Sequence, residues 1–262
     1  MRRHVVILLT HVFFVTPLLA VQTDHYTLRK DGSFESGCFA PCMCPILLQA
    51  PVRGGFRLVF DRSDGLFDHY RVENVRWTVR LGADDLPVTG SGTYRIGGEL
   101  ARQHQLALDL QVGTEPVQHF DSGLVVPPTP FPRIDARISI NEEYCHDSVF
   151  DVHARRVRNM DVDGAALRWE ALPAVEGHDI VRGSLQALHA TSGDYATSVQ
   201  ECVAANVTGD WLTFAPDPPP GEGYWFLLRD REDGISGSYD SGEADQVGSA
   251  DVMLEGSPLA CP

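Results

Sequence analysis

Apolar and polar residues alternate with a period of two along much of the chain. Phe56, Leu58 and Phe60 interleave with Arg57 and Val59, and Val75, Trp77, Val79 and Leu81 with Arg76, Thr78 and Arg80. Leu106, Leu108 and Leu110 alternate with Gln105, Ala107 and Asp109; Ile134, Ala136, Ile138 and Ile140 alternate with Asp135, Arg137 and Ser139. Successive side chains of a strand face opposite ways, so this spacing predicts strands with one buried and one wetter face. Asp31-Gly32, Gly54-Gly55, Asp64-Gly65, Gly97-Gly98 and Gly113 supply turn chemistry around these runs. The first half is therefore expected to be an antiparallel β-sandwich or barrel. Pro127, Pro128, Pro130 and Pro132 predict a stiff extended crossing inside it.

The pattern restarts beyond a polar stretch, Arg155–Gly164, which places a domain boundary between 21–156 and 157–262. Leu167 and Trp169 alternate; Asp179-Ile180-Val181-Arg182-Gly183, Trp211-Leu212-Thr213-Phe214 and Gly223-Tyr224-Trp225-Phe226-Leu227-Leu228-Arg229 follow, and Gly237-Ser238-Tyr239 offers a last short strand. Leu185 and Leu188 suggest a short helical turn, then a long loop up to Val207. The order Leu-x-Trp, Asp-Ile-Val-Arg-Gly, Gly-Tyr-Trp-Phe-Leu-Leu-Arg resembles a fibronectin type III module over about residues 157–250. The resemblance implies a β-sandwich in which Trp169, as the strand-B tryptophan, packs under Tyr224 or Phe226 of strand F. This variant, with its Ser-Tyr-Asp-Ser-Gly run, is similar to C-terminal modules of secreted bacterial proteins. The Cys-Phe-Ala-Pro-Cys-Met-Cys-Pro segment resembles Cys-rich segments of secreted β-rich domains. Neither resemblance carries an activity, because such folds host many functions. The expected class is all-β throughout.

Arg2, Arg3 and His4 precede an apolar run from Val5 to Ala20, the layout of a secretory signal peptide over residues 1–20. Its removal would take the formal charge from −15 to −17. That acidity argues against nucleic acid and against an anionic membrane surface as partner. The expected location is the cell exterior, or the periplasm of a bacterial host, with no membrane attachment after cleavage. In such a compartment six cysteines are read as disulfides. Cys202 with Cys261 closes the C-terminal half and staples the segment from Asp251. For the others, Cys38–Cys42 with Cys44–Cys145 is preferred over Cys38–Cys44 with Cys42–Cys145. A zinc site from Cys38, Cys42, Cys44 and either Cys145 or His146 is the competing reading, although the spacing lacks paired C-x2-C knuckles.

Gly-x-Ser-x-Gly, phosphate-loop, His-Glu-x-x-His and dinucleotide motifs are all missing from the sequence. The candidates for catalysis are His104, His119 and Asp121, which neighbouring strands could bring to one face as a metal pair or as a general base with its carboxylate. Ordinary half-exposed strand histidines are the simpler reading. Asp161 and Asp163, and the acidic loop Asp240, Glu243 and Asp245, are candidate calcium ligands, with a polar hinge and plain solvation as the simpler readings. No other cofactor is expected. Tyr224 and Trp225 are adjacent, so one could point outward to stack on a sugar or peptide; packing against the other domain or the Cys202 loop is preferred. Asn206-Val207-Thr208 matches a glycosylation triplet. These observations suggest a non-catalytic binding or structural protein with an extracellular protein or glycan partner. The alternatives are a secreted hydrolase with its site in the first domain, or a small-ligand carrier if that domain is a hollow barrel.

Overall fold

The computed structural model describes residues 23–42, 44–163, 165–170, 172, 175–214, 216–242 and 246–262. The expected leader, residues 1–20, lies outside them. Nine strands form one antiparallel sheet: β1 (Thr23–Leu28), β2 (Ser33–Cys38), β3 (Leu47–Ser63), β4 (Phe67–Leu81), β5 (Asp84–Gly97), β6 (Gln103–Val112), β7 (Gln118–Asp121), β8 (Ile134–Ser139) and β9 (His146–Arg156). Each of β3 to β9 pairs with its sequence neighbour. β1 and β2 occupy successive stretches between β3 and β9 and close the ring. The result is an up-and-down barrel whose β7–β8 seam is paired only at Asp121 and Ser139.

The alternating runs put their apolar members inside. Leu106, Leu108 and Leu110 of β6, Ile134, Ala136 and Ile138 of β8, and Phe150, Val152 and Ala154 of β9 are all buried in one cluster. On β4 the alternation shifts from Val72 to Val75 at a break in register, where Asn74 takes a positive φ of 52°. This bulge keeps Val72, Val75, Trp77 and Val79 all inside. Rings fill the interior: Phe150 packs on Phe34, Phe120 and Trp77, and Tyr26 stacks on Phe56. The carrier expectation required a hollow interior, and this one is packed. The proline-rich crossing joins β7 to β8 and lays Phe131 against Tyr70 and Tyr94. Gly54-Gly55, expected at a turn, lies within β3.

The change of sheet falls between Arg156 and Met160. A three-stranded sheet holds β10 (Met160–Asp163), β11 (Ala166–Trp169) and β14 (Trp211–Thr213) in the order β10-β11-β14. A four-stranded sheet holds β12 (Gly177–Ser184), β13 (Val199–Val207), β15 (Tyr224–Glu232) and β16 (Ile235–Ser236) in the order β13-β12-β15-β16. Leu167 and Trp169 of the first sheet form one cluster with Ile180, Phe226 and Leu228 of the second. The far face of the four-stranded sheet carries another cluster, covered by α1 (Leu185–Ala190), α2 (Tyr195–Ser198) and α3 (Ala250–Leu254). Ser184, Asp194 and Ser249 cap these short helices with side-chain oxygens. β12 is thus buried on both faces, with Ile180 in one cluster and Val181 in the other. The helical turn expected at Leu185 and Leu188 is α1, and the long loop expected after it is instead α2 and β13. The last strand is Ile235–Ser236 rather than Gly237–Tyr239.

All six cysteines are in disulfides. Cys202–Cys261 forms as expected and holds the C-terminal segment against β13. In the barrel the pairs are Cys38–Cys44 and Cys42–Cys145, which corrects the preferred pairing. The reason is register: Cys38 ends β2 directly opposite His146, and its N–H reaches Ile46, so the chain after Cys38 doubles back beside its own strand. That return brings Cys44 next to Cys38 and leaves Cys42 at the tip, facing Cys145. With all four thiols in disulfides, the set offers no thiolates for zinc.

Candidate functional site

The residues singled out for catalysis are divided between the two sides of the barrel wall. His104 shares its parity with Leu106, Leu108 and Leu110 and is fully buried inside, with Nδ1 3.4 Å from the Tyr94 hydroxyl. Burial pushes its pKa down, so the ring is held neutral. His119 and Asp121 flank the buried Phe120 and therefore face outward. His119 pairs with Asp109 at 2.8 Å, while Asp121 accepts two hydrogen bonds from Gln105. The three do not converge.

The calcium candidates are likewise dispersed. Asp161 and Asp163 lie exposed on β10, Asp163 3.7 Å from Arg168. Asp240 is buried and its oxygens accept from Gln246, Ser249 and the Ala250 N–H at the start of α3. Glu243 and Asp245 lie outside the described residues. Among the described residues no group of three or more His, Cys, Asp or Glu side chains could hold a metal. Trp225 is buried against Tyr195, at 5.1 Å between ring centroids. Tyr224 lies half-buried under the Arg182 guanidinium, 4.2 Å from its ring centroid. Neither is a free stacking platform.

What the fold does build is a cleft of about 610 Å³ between the barrel and the two smaller sheets. Its walls are Thr27–Arg29 of β1 and the turn after it, the connection Arg155–Asn159, β10, and β15 with the segment that follows Ile235. Domain junctions are a common place for ligand sites. The geometry here is fixed by buried charge. Glu232, at the end of β15, is 4% exposed and accepts hydrogen bonds from Arg29 Nη1 at 2.9 Å and Arg155 Nε at 2.6 Å, with Arg133 3.9 Å away. Arg155 also donates to Asp135 at 2.8 Å, and Asp135 meets His153 at 3.0 Å. Burial alone would raise the Asp135 pKa, but hydrogen bonds from His153, Arg155 and Thr129 outweigh it and hold the carboxylate well below the usual range. Further along the cleft, Arg158 donates to Asp230 at 2.6 Å, and Asp230 also pairs with the buried His178 at 3.1 Å.

The chain matches no protein-family model, no curated protein and no solved structure. The cleft is therefore read from its own chemistry. Its buried arginines are paired with carboxylates, its lining includes Met160, Val162 and Leu228, and its Ser238 hydroxyl donates to the buried Asp251 at 2.6 Å. Glu232 carried no signal in the sequence, because it follows an ordinary charged run, Arg229-Asp230-Arg231. Arg155 and Arg158 read as a polar hinge. Only the pairing of β15 with β12, and the packing of the smaller sheets beside the barrel, turns these residues inward.

Proposed function

We propose that this chain is a non-catalytic binding protein of the cell exterior that takes its partner in the cleft between its two domains. One observation carries the reading: the cleft walls come from both domains, and buried ion pairs at Glu232 fix their spacing in advance. Preorganised concave surfaces bind with less loss of conformational freedom. The three disulfides fit an oxidising compartment. Among the described residues no helix is long and apolar enough to cross a membrane.

The second domain is read as a fibronectin type III-like module with a stapled tail. In support, Trp169 lies on its second strand and Phe226 on its sixth, in one core cluster, as that resemblance implies. The hydrolase alternative loses support from the outward His119 and Asp121 and the inward His104.

The test is saturable binding of labelled mature protein to the surface of the producing cells. Val162→Trp, on β10, places an indole in the cleft and is expected to weaken binding at least about tenfold, a loss of about 1.4 kcal/mol. His119→Ala and Asp121→Asn should bind as wild type. Unchanged binding by a folded Val162→Trp variant overturns the reading. So does turnover of a peptide, ester or glycoside substrate that His119→Ala or Asp121→Asn abolishes.

A further inference from the structure

One wall of the cleft is an unfinished sheet edge. β15 pairs with β12 along its whole length from Tyr224 to Arg231. On its other side it pairs only at Arg231 and Glu232, with the two residues of β16. The hydrogen bonds at its ends set the parity. The Gly223 and Arg231 carbonyls accept on the β12 side, from Leu185 and Glu176, whereas the Asp230 carbonyl accepts on the β16 side, from Gly237. Odd-numbered residues of β15 therefore turn their N–H and C=O groups to β12, and even-numbered ones turn theirs away. The main-chain groups of Phe226 and Leu228 consequently face the cleft, where no strand of the described residues pairs with them.

The chain's own last strand does not fill this place. After Ser236 and the single rung from Gly237, the backbone crosses to the far face of the sheet. There Tyr239 packs in the helix-covered cluster, with the Arg229 guanidinium 4.7 Å from its ring centroid. Beside the open edge lie the half-buried side chains of Met160, Phe226 and Leu228, which belong to the sandwich core, and the exposed Val162. Unpaired strand edges over an apolar floor are what an added strand completes. A five-residue strand is about 17 Å long, the span of Phe226 to Asp230 that lines the cleft.

We propose that an extended segment of a partner protein adds as a strand to β15 in the cleft. It would run antiparallel to β15, continuing the line that β16 begins. Its main chain meets Phe226 and Leu228, and alternate small apolar side chains rest on Met160 and Val162. The segment carries no acidic side chain, because Arg29, Arg155, Arg158, Arg229, Asp230 and Glu232 along the walls are already matched within the protein and the exposed Asp161 of β10 adds a negative charge to the wall. This inference rests on the cleft being the binding site.

The test is amide hydrogen exchange of the full oxidised chain by NMR, with the capped peptide acetyl-Thr-Val-Thr-Val-Thr-amide as probe. In the free protein the Phe226 and Leu228 amides should exchange fast, and Leu227 and Arg229 should be protected by β12. Millimolar peptide should slow Phe226 and Leu228 at least about tenfold. Of two copies N-methylated on the valines or on the threonines, one should retain this effect and the other lose it, because a strand pairs through alternate amides. Free-state protection of Phe226 and Leu228 equal to that of Leu227, or no slowing by the peptide, overturns strand addition. If that happens while Val162→Trp still abolishes cell-surface binding, the cleft remains the site and only its occupant was misassigned. If Val162→Trp has no effect on cell-surface binding, the cleft reading itself fails.

Discussion

Gly55 and Gly242 meet where the barrel touches the C-terminal segment after β16. A Cβ on Gly55 would lie 2.7 Å from the Gly242 Cα and closer still to the Tyr26 carbonyl, and neither neighbour is a movable side-chain end. Gly242 also has a φ of 68°, in the left-handed region that glycine tolerates best. Gly55→Ala should therefore destabilise the protein by about 1–3 kcal/mol, the range for forced overpacking, read as a lower urea midpoint at unchanged m-value. A wild-type midpoint would mean that the two backbones separate at little cost. The sequence offers Gly54-Gly55 as turn chemistry, and residue type alone cannot distinguish a glycine that bends the chain from one that admits another chain. The histidines are different. His104 has the parity of Leu106 and Leu108, and His119 is out of step with Phe120, so their opposite faces were legible in the alternation. What alternation cannot supply is the neighbour across the sheet, and hence the Asp109 and Tyr94 partners.

Among the elements, β3, β4, β6 and β8 follow the alternating pattern, because each has one face in the barrel core and the other outside it. β5 and β13 do not announce themselves. β5 carries Asp84, Asp85, Pro87 and three glycines, and it is held by full ladders to β4 and β6 rather than by its own propensity. β13 buries only Val199 fully and runs along the edge of its sheet. Between β8 and β9 the outward face carries a charged stripe with a pH dependence of its own. His153 lies 3.0 Å from Asp135 and 3.6 Å from Asp151, and these carboxylates raise its pKa to about 9. Its folded pKa exceeds the unfolded value of about 6.5, so the protonated ring stabilises the fold fully below pH ~6.5. That contribution, on the order of 1–3 kcal/mol, is lost as the pH rises through about 9. Tm should therefore fall between pH 6.5 and 9.5, and His153→Gln should have a lower Tm at pH 6.5 and a flatter profile. Parallel profiles for the two proteins would exclude His153 as the source.

Across the whole molecule, the sequence divided the cysteines four and two, and the structure keeps that division. No disulfide joins the barrel to the smaller sheets. Their coupling must come from the hinge and from non-covalent contacts, the most buried of which is the Glu232 carboxylate among Arg29, Arg155 and Arg133. A buried ion pair adds little over an apolar replacement, but removing one partner strands the other charge, at a cost of about 3–5 kcal/mol. Here Arg29 keeps Asp31 and Arg155 keeps Asp135, so the loss in Glu232→Gln belongs at the lower end of that range. The loss falls on the junction, since the barrel and the smaller sheets have separate core clusters and separate disulfides. The wild-type protein should then melt as one calorimetric transition. Glu232→Gln should show two, the barrel and the second domain unfolding separately, and should lose cleft binding in step. A single unshifted transition in the variant would mean that the junction holds without this carboxylate, leaving Gly55 against Gly242 and the exposed Arg53–Glu255 pair as the coupling.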